Sequence, residues 1–257
     1  MKGDAGFPVR IRFNKRGPVR FIGHRDVARN FERAFRIEQL PLAFTLGFAP
    51  RPKVGFGLAL SVGHESDAEY LDVELTHDPG PDGPDGLDRF PEALSIALPE
   101  GIDVTGVAPI ADRAPSLQEA VTAVEYRLEV AHETPGGTST PDAVATMVAS
   151  VLDASSLEIS RTRKGREVAE DVRPAIRAME LLEVDASIAS LHLELATQPR
   201  NARPGDVVAA LNAVAPSGPV FTEGRVLRTH QWIERVGARL EPLEADPRAP
   251  VLEARAS

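Results

Sequence analysis

Gly23-His24-Arg25-Asp26-Val27-Ala28-Arg29-Asn30-Phe31-Glu32-Arg33-Ala34-Phe35-Arg36 is the stretch whose spacing decides how the first half of the chain is built. At about 100° per residue, Arg25, Arg29, Arg33 and Arg36 fall within about 80° of one another on a helical wheel. Val27, Phe31, Ala34 and Phe35 fall on the opposite side. The pattern predicts a helix over residues 24–39 that docks by its Phe face and offers its Arg face outward. Glu32 stands three and four residues from Arg29 and Arg36, where ion pairs contribute about 0.2–0.5 kcal/mol each.

Working outward, residues 8–14 alternate Val9, Ile11 and Phe13 with Arg10, Arg12 and Asn14, as a half-buried strand does. Lys15-Arg16-Gly17-Pro18 reads as a turn into an extended stretch at 19–22. Pro41 ends the helix, because proline biases Leu40 away from helical geometry, and residues 42–45 enter a strand. Residues 54–60 and 69–75 read as strands separated by the turn-like Gly63-His64-Glu65-Ser66-Asp67. Residues 77–91 hold four Pro, three Gly and four Asp, which marks an exposed loop. A helix at 90–98 and a strand at 102–110 follow, and a helix-like segment at 116–124 leads onward.

A second series runs strand 126–131, helix 142–153, strands near 157–162, 172–179 and 188–195, helix 205–215 and strand 220–230. Both series approximate β-α-β-β-α-β. The expected fold is α+β, two tandem ferredoxin-like modules with mostly antiparallel sheets. The first covers residues 1–115 with the basic helix and a Pro/Gly loop, the second covers 116–240, and 241–257 is a disordered tail.

Composition narrows the chemistry. The 257 residues contain no Cys, which excludes disulfides, thiolate metal sites and a cysteine nucleophile. The six His are scattered without ligand-like spacing, so neither a metal nor another cofactor is expected. No apolar run is long enough for a membrane span and no signal core opens the chain, so the expectation is a cytoplasmic protein with no membrane partner. Aromatic residues make up 5 % and most are Phe, read as core fillers.

Charge is unevenly spread. The first 53 residues carry twelve Lys and Arg against four Asp and Glu, a net of +8, in a chain whose formal charge is −9. Arg20 precedes the helix, and Arg51 and Lys53 follow it in the loop Gly47-Phe48-Ala49-Pro50-Arg51-Pro52-Lys53. With Arg25, Arg29, Arg33 and Arg36 they form a candidate RNA-binding set of seven cations, since guanidinium forks suit phosphate oxygens and neutralised phosphates release counterions. His24, at the helix start, is the one candidate catalytic residue, a neutral base for metal-free RNA cleavage. It can equally do no more than open the helix behind a Gly23 cap, with Asp26 accepting first-turn amides. Asp72 and Glu74 read as the wet face of a strand. Arg161-Thr162-Arg163-Lys164-Gly165-Arg166 reads as a basic hairpin turn. No catalytic motif stands out, and the chain reads as a binding protein before an enzyme.

Arg20-Phe21-Ile22-Gly23-His24-Arg25-Asp26, Glu32-Arg33-Ala34, Leu40-Pro41, Gly47-Phe48, Pro50-Arg51-Pro52-Lys53 and Glu69-Tyr70-Leu71-Asp72 together resemble the radical-SAM-linked domain family of uncharacterised bacterial proteins. Asp171-Val172-Arg173-Pro174 extends the likeness into the second half. The resemblance implies a stand-alone, actinobacterial-type member whose protein partner is a radical-SAM enzyme or an E/G-type ribonuclease. The Ser-His-Leu-Asp usual in relatives stands here as Gly23-His24-Arg25-Asp26, which removes any role for a serine hydroxyl. The same stretch is distantly similar to the CRISPR repeat-cleaving endoribonucleases, by analogy of helix, Leu-Pro and Gly-Phe-x-Pro spacing. The functional expectation is an RNA-binding protein acting on or near structured RNA such as rRNA or tRNA, in processing or modification. The alternatives are a metal-independent endoribonuclease using His24 and a protein adaptor.

Overall fold

The computed structural model describes residues 6–80, 86–112, 114–133, 140–163, 165–185, 187–199, 201–214, 219–235, 237–245 and 252–253. The chain forms two compact units, one of Met1–Val121 with Gln231–Ser257 and one of Thr122–His230. The described residues from Gln231 onward therefore cluster with the first unit.

The first unit is built on β1 (Phe7–Lys15), which pairs antiparallel with both β3 (Glu65–Leu75) and β4 (Val104–Pro109). The short β2 (Val54–Phe56) pairs antiparallel with β3, matching Val54 to Val73. The resulting order is β4-β1-β3-β2. One face is closed by α1 (His24–Ile37) and α2 (Phe90–Ala97). Val9, Ile11 and Phe13 from β1 and Leu71, Val73 and Leu75 from β3 pack there against Val27, Phe31, Ala34 and Phe35 of α1. The buried set of α1 is the one its spacing predicts. A smaller cluster of Ala68, Tyr70, Ala108, Leu117 and Leu243 is also buried in this unit.

Several local expectations change. Residues 17–21 form a 3-10 helix, not an extended stretch: Pro18 opens it, and the buried Lys15 ammonium donates to the Arg20 and Ile22 carbonyls at 3.1 Å each. Residues 42–45 make only isolated bridges, Leu42 with Leu75 and Phe44 with Pro52. The turn before β3 is confined to Gly63 and its neighbours, where φ is +91°, and the strand already begins at Glu65. The helix expected at 116–124 is one turn, α3 (Leu117–Ala120), with a Ser116/Glu119 capping box. Val121, Thr122 and Val124 are β-branched and lead the chain into β5 (Ala123–Glu133).

In the second unit β5 is followed by α4 (Pro141–Asp153), the hairpin β6 (Glu158–Arg163) and β7 (Arg166–Asp171), β8 (Ile176–Val184), β9 (Ile188–Ala196), α5 (Pro204–Val214) and β10 (Val220–Arg235). Its order is β10-β5-β9-β8, with β6 and β7 as a separate two-stranded ribbon. The β5–β9 and β8–β9 pairs are antiparallel. Residues 173–175 form a 3-10 turn, so the strand expected from residue 172 starts at Ile176. The protein is thus mixed α and β with mostly antiparallel sheet. Past β10, β11 (Ala238–Leu240) pairs back on it, Leu243 and Ala245 are buried, and β12 (Leu252–Glu253) pairs with β4. Residues 241–245 and 252–253 belong to the segment expected to be a disordered tail, and 246–251 and 254–257 lie outside the described residues. No described helix is long and apolar enough to cross a membrane.

Candidate functional site

The candidate site grows from the end of β1. Continuing the inward alternation of Val9, Ile11 and Phe13 by one step turns Lys15 toward the core, where it is 3 % exposed. Burial holds its ammonium below the ordinary lysine value, opposed in part by the Glu69 carboxylate. Its two carbonyl bonds pin the 3-10 turn that leads into α1. Glu65, 1 % exposed, accepts from the Gly17 amide at 2.7 Å and pairs with Arg20 at 3.7 Å, while the Arg20 guanidinium lies 4.8 Å from the Phe21 ring centroid.

Gly23 caps α1 through its carbonyl, which accepts from the Asp26 and Val27 amides at 3.0 and 3.1 Å. The Asp26 carboxylate is turned to Arg29, 3.2 Å away, so Arg29 pairs with Asp26 and not with Glu32. Arg25, Arg29, Arg33 and Arg36 are all exposed on the face opposite Phe31 and Phe35. Arg36 Nε donates to the Glu32 backbone carbonyl at 3.2 Å, a bond that does not neutralise its charge.

The Pro/Gly loop is clamped at its base. Thr45 N donates to the Arg51 carbonyl at 2.8 Å and Arg51 N to Thr45 Oγ1 at 3.0 Å. The Arg51 side chain is exposed, whereas Lys53 is bound to Glu74 at 2.6 Å. The seven expected cations therefore divide: four share one outward helix face, Arg51 is exposed in the loop, and Arg20 and Lys53 are committed to Glu65 and Glu74. At the loop tip Leu46 and Phe48 are almost wholly exposed, and Phe44 and Phe21 are more than half exposed. These phenylalanines are not core fillers.

His24 stands at the first position of α1 with its ring edge-on to Phe56, centroids 5.0 Å apart. It lines a small solvent-open cleft, with room for about one water, together with Lys15, Phe56, Gly57, Leu58 and Glu69. Glu69 is 8 % exposed, at the alternate position of β3 that continues the inward set of Leu71 and Val73. Sequence reasoning passes over both Lys15 and Glu69, reading one as part of a turn and the other as the start of the strand at 69–75. The signal that could have found them is the strand period of two, which runs from Phe13 to Lys15 and back from Leu71 to Glu69. Asp72 is not a wet-face residue: it binds the buried Arg10 through Nε at 2.7 Å and Nη2 at 2.8 Å.

In the second unit the basic hairpin is partly consumed internally. Arg161 pairs with Asp206 and, at 3.1 Å, with Glu170; Lys164 lies outside the described residues. His192 and His230 both face Glu125, at 3.4 and 3.3 Å. Among the described residues no group of three or more His, Asp and Glu side chains is placed to hold a metal ion.

Fold and site together define an α+β protein that presents an arginine-lined helix beside a loop with exposed apolar side chains. By its sequence the chain belongs to the family described as "Uncharacterized protein conserved in bacteria (DUF2344)", matched over residues 9–204. No curated protein matches it. Among solved structures it is similar to a chain of a Cbf5–Nop10–Gar1 complex, at 13 % identity over 88 % of this chain and 49 % of that one, with a TM-score of 0.45. A chain of an archaeal box H/ACA sRNP Nop10–Cbf5 complex gives 12 %, 88 %, 48 % and 0.43. An unknown protein from Galdieria sulphuraria gives 13 %, 85 %, 98 % and 0.24. The chain spans about half the length of the first two.

Proposed function

We propose that this protein binds structured RNA, such as rRNA or tRNA, through the arginine face of α1. The observation that carries the reading is the placement of Arg25, Arg29, Arg33 and Arg36 on one exposed side of a helix anchored by its opposite side. Four guanidinia at this spacing can fork onto successive phosphates, and released counterions supply the affinity. Arg51 adds charge from the loop, and Phe48, with no packing role to fulfil, offers a ring for an unstacked base. Arg20 and Lys53 contribute less, because Glu65 and Glu74 already answer their charge.

The test is the Arg25→Gln, Arg29→Gln, Arg33→Gln, Arg36→Gln variant, assayed against a panel of tRNA and rRNA fragments at fixed salt. Unchanged melting with at least a roughly tenfold loss of RNA affinity supports the reading, since each removed phosphate contact weakens binding. Retained affinity overturns it. Affinity for an acidic protein surface in place of RNA would turn the reading to the adaptor role, with a radical-SAM enzyme or ribonuclease as partner. A chain without Cys leaves any cysteine-ligated cluster to that partner.

A second reading, metal-independent RNA cleavage with His24 as base, is favoured by the position of His24 on the rim of a cleft that also holds a buried lysine. Loss of cleavage with retained RNA binding in His24→Ala would support it. For the fold, the shared orders β4-β1-β3-β2 and β10-β5-β9-β8 support two ferredoxin-like modules, the second carrying β6 and β7 as an inserted ribbon. The absence of a spanning helix among the described residues is compatible with cytoplasmic residence, where such RNA is found.

A further inference from the structure

We infer that the tip of the loop after α1 is a stacking wedge for unpaired bases, so that this protein selects RNA whose double helix is interrupted and does so without reading its sequence. The inference rests on the RNA reading and deepens it by naming the class of RNA. The side chains of residues 46–50, Leu46-Gly47-Phe48-Ala49-Pro50, carry no hydrogen-bonding group. Both large ones, Leu46 and Phe48, are almost wholly exposed, so folding leaves their apolar area in water.

Charge indicates the partner. No Asp or Glu stands between Glu38 and Glu65, and Arg51 is exposed at the foot of the tip. A fitting partner offers negative charge and flat apolar surface together, as RNA does through its phosphates and base faces. Arg36, in the last turn of α1, and Leu46 are ten positions apart, so at most about 35 Å separates the arginine face from the tip, a distance that a short RNA stem spans. Within a continuous duplex the base faces are covered by their neighbours; at bulges, loops and ends they are free. Phe48 supplies a ring for such a face, and Leu46 an apolar wedge beside it. With no side-chain donor or acceptor the tip cannot tell one base edge from another, and every base has a π face.

The tip is held in place before a ligand arrives. Thr45 and Arg51 close it through their two hydrogen bonds, Phe44 bridges Pro52, and the Lys53 amide donates to the Ala43 carbonyl at 2.9 Å. Gly47, between the two exposed side chains, takes a φ of +139° that L side chains rarely adopt, and Pro50 and Pro52 have φ fixed by their rings. Stacking against a base therefore needs little further ordering.

The full chain is titrated by fluorescence anisotropy, at fixed salt, with a fully paired RNA duplex and with the same duplex carrying a bulge of unpaired adenosines or of unpaired uridines. Both bulged RNAs should bind at least about fivefold tighter than the paired one, the effect of about one stacked base. A 2-aminopurine placed in the bulge should change its fluorescence on binding. Leu46→Ser with Phe48→Ser should bring the preference to near unity and remove that fluorescence change, while Phe48→Trp, which keeps a ring, should retain both. Neither Leu46 nor Phe48 packs in the core, so the double variant should melt like the parent. The control is Ile96→Ser, which removes an exposed apolar side chain from α2, against β4 and at the other end of the β4-β1-β3-β2 order from β2; it should alter neither readout. Equal binding of paired and bulged RNA, a preference confined to one base, or a preference that survives the double substitution overturns the inference. So does a double variant that keeps the bulge preference but no longer sediments with phosphatidylglycerol vesicles, which would assign the tip to a lipid surface. Any of these outcomes leaves the RNA reading standing if the four-arginine variant still loses RNA. If that variant keeps RNA affinity, the RNA reading fails whatever the bulged RNAs show.

Discussion

Phe13 of β1 and Phe31 of α1 meet edge to face, with ring centroids 4.7 Å apart and planes at 61°. Both are essentially inaccessible to solvent, and Phe31 also contacts the rings of Phe35 and Phe56 at 5.7 and 6.2 Å. The arginine face is thus held in place from behind by aromatic packing.

Removing that support has a defined cost. Phe31→Ala should destabilise the protein by about 3–5 kcal/mol, the range for a large buried aromatic. Urea unfolding followed by circular dichroism should show a lower midpoint at similar slope. Because Phe31 points away from Arg29 and Arg33, RNA affinity per folded molecule should stay unchanged.

Arg10 provides a second check, this time of buried charge. It is 3 % exposed, forks onto Asp72 and donates to the Pro242 carbonyl at 3.2 Å. Asp72→Ala leaves the guanidinium without its counter-charge and should cost about 3 kcal/mol. The paired variant Arg10→Met, Asp72→Leu should lose less than Arg10→Met and Asp72→Leu do in sum, as measured by a double-mutant cycle in denaturant. A paired variant that loses the sum of both single changes would show that the pair is not coupled.

Tyr70 predicts a response to alkali. Its hydroxyl lies 3.5 Å from a Glu241 carboxylate oxygen, and burial first, then that negative charge, pushes its ionisation well above the ordinary tyrosine value. The unfolded chain loses this proton near about pH 10, whereas the folded chain keeps it. Stability from this group is therefore intact below about pH 10 and falls progressively above it. Tyrosinate absorbance missing from a Tyr70→Phe variant should appear only together with unfolding, and that variant should unfold at higher pH.

How much of the structure is legible in the sequence follows from the range over which each signal acts. The Arg and Phe faces of α1 are legible because period 3.6 is a local property, and all four inward residues are buried as expected. Residues 19–22 read wrongly because the Lys15 ammonium that fixes their turn acts from outside the segment. Glu69 and Lys15 are hidden by the convention that charge means surface, although strand alternation already turns both inward. Pairings across 21 to 62 residues, Lys53 with Glu74 and Arg10 with Asp72, have no local signature at all. Leu46 and Phe48 are legible only in coordinates, since an apolar loop residue has the same letters whether it is covered or bare.

In the proposed RNA reading, Asp26 is the carboxylate that sits against the arginine face. It holds Arg29 at 3.2 Å, and both side chains are largely exposed, so the pair itself contributes no more than about 1 kcal/mol to stability. Its negative charge in the first turn also favours the helix, by about 0.3–1 kcal/mol. Asp26→Asn should therefore lower the melting temperature slightly while freeing Arg29 for phosphate. RNA affinity at low salt should rise severalfold, and the dependence of affinity on salt should steepen by up to about one counterion equivalent. Filter binding across a salt series measures both. An unchanged affinity and slope would mean that Arg29 never meets a phosphate, and would shift the contact to the end of the stripe defined by Arg33 and Arg36.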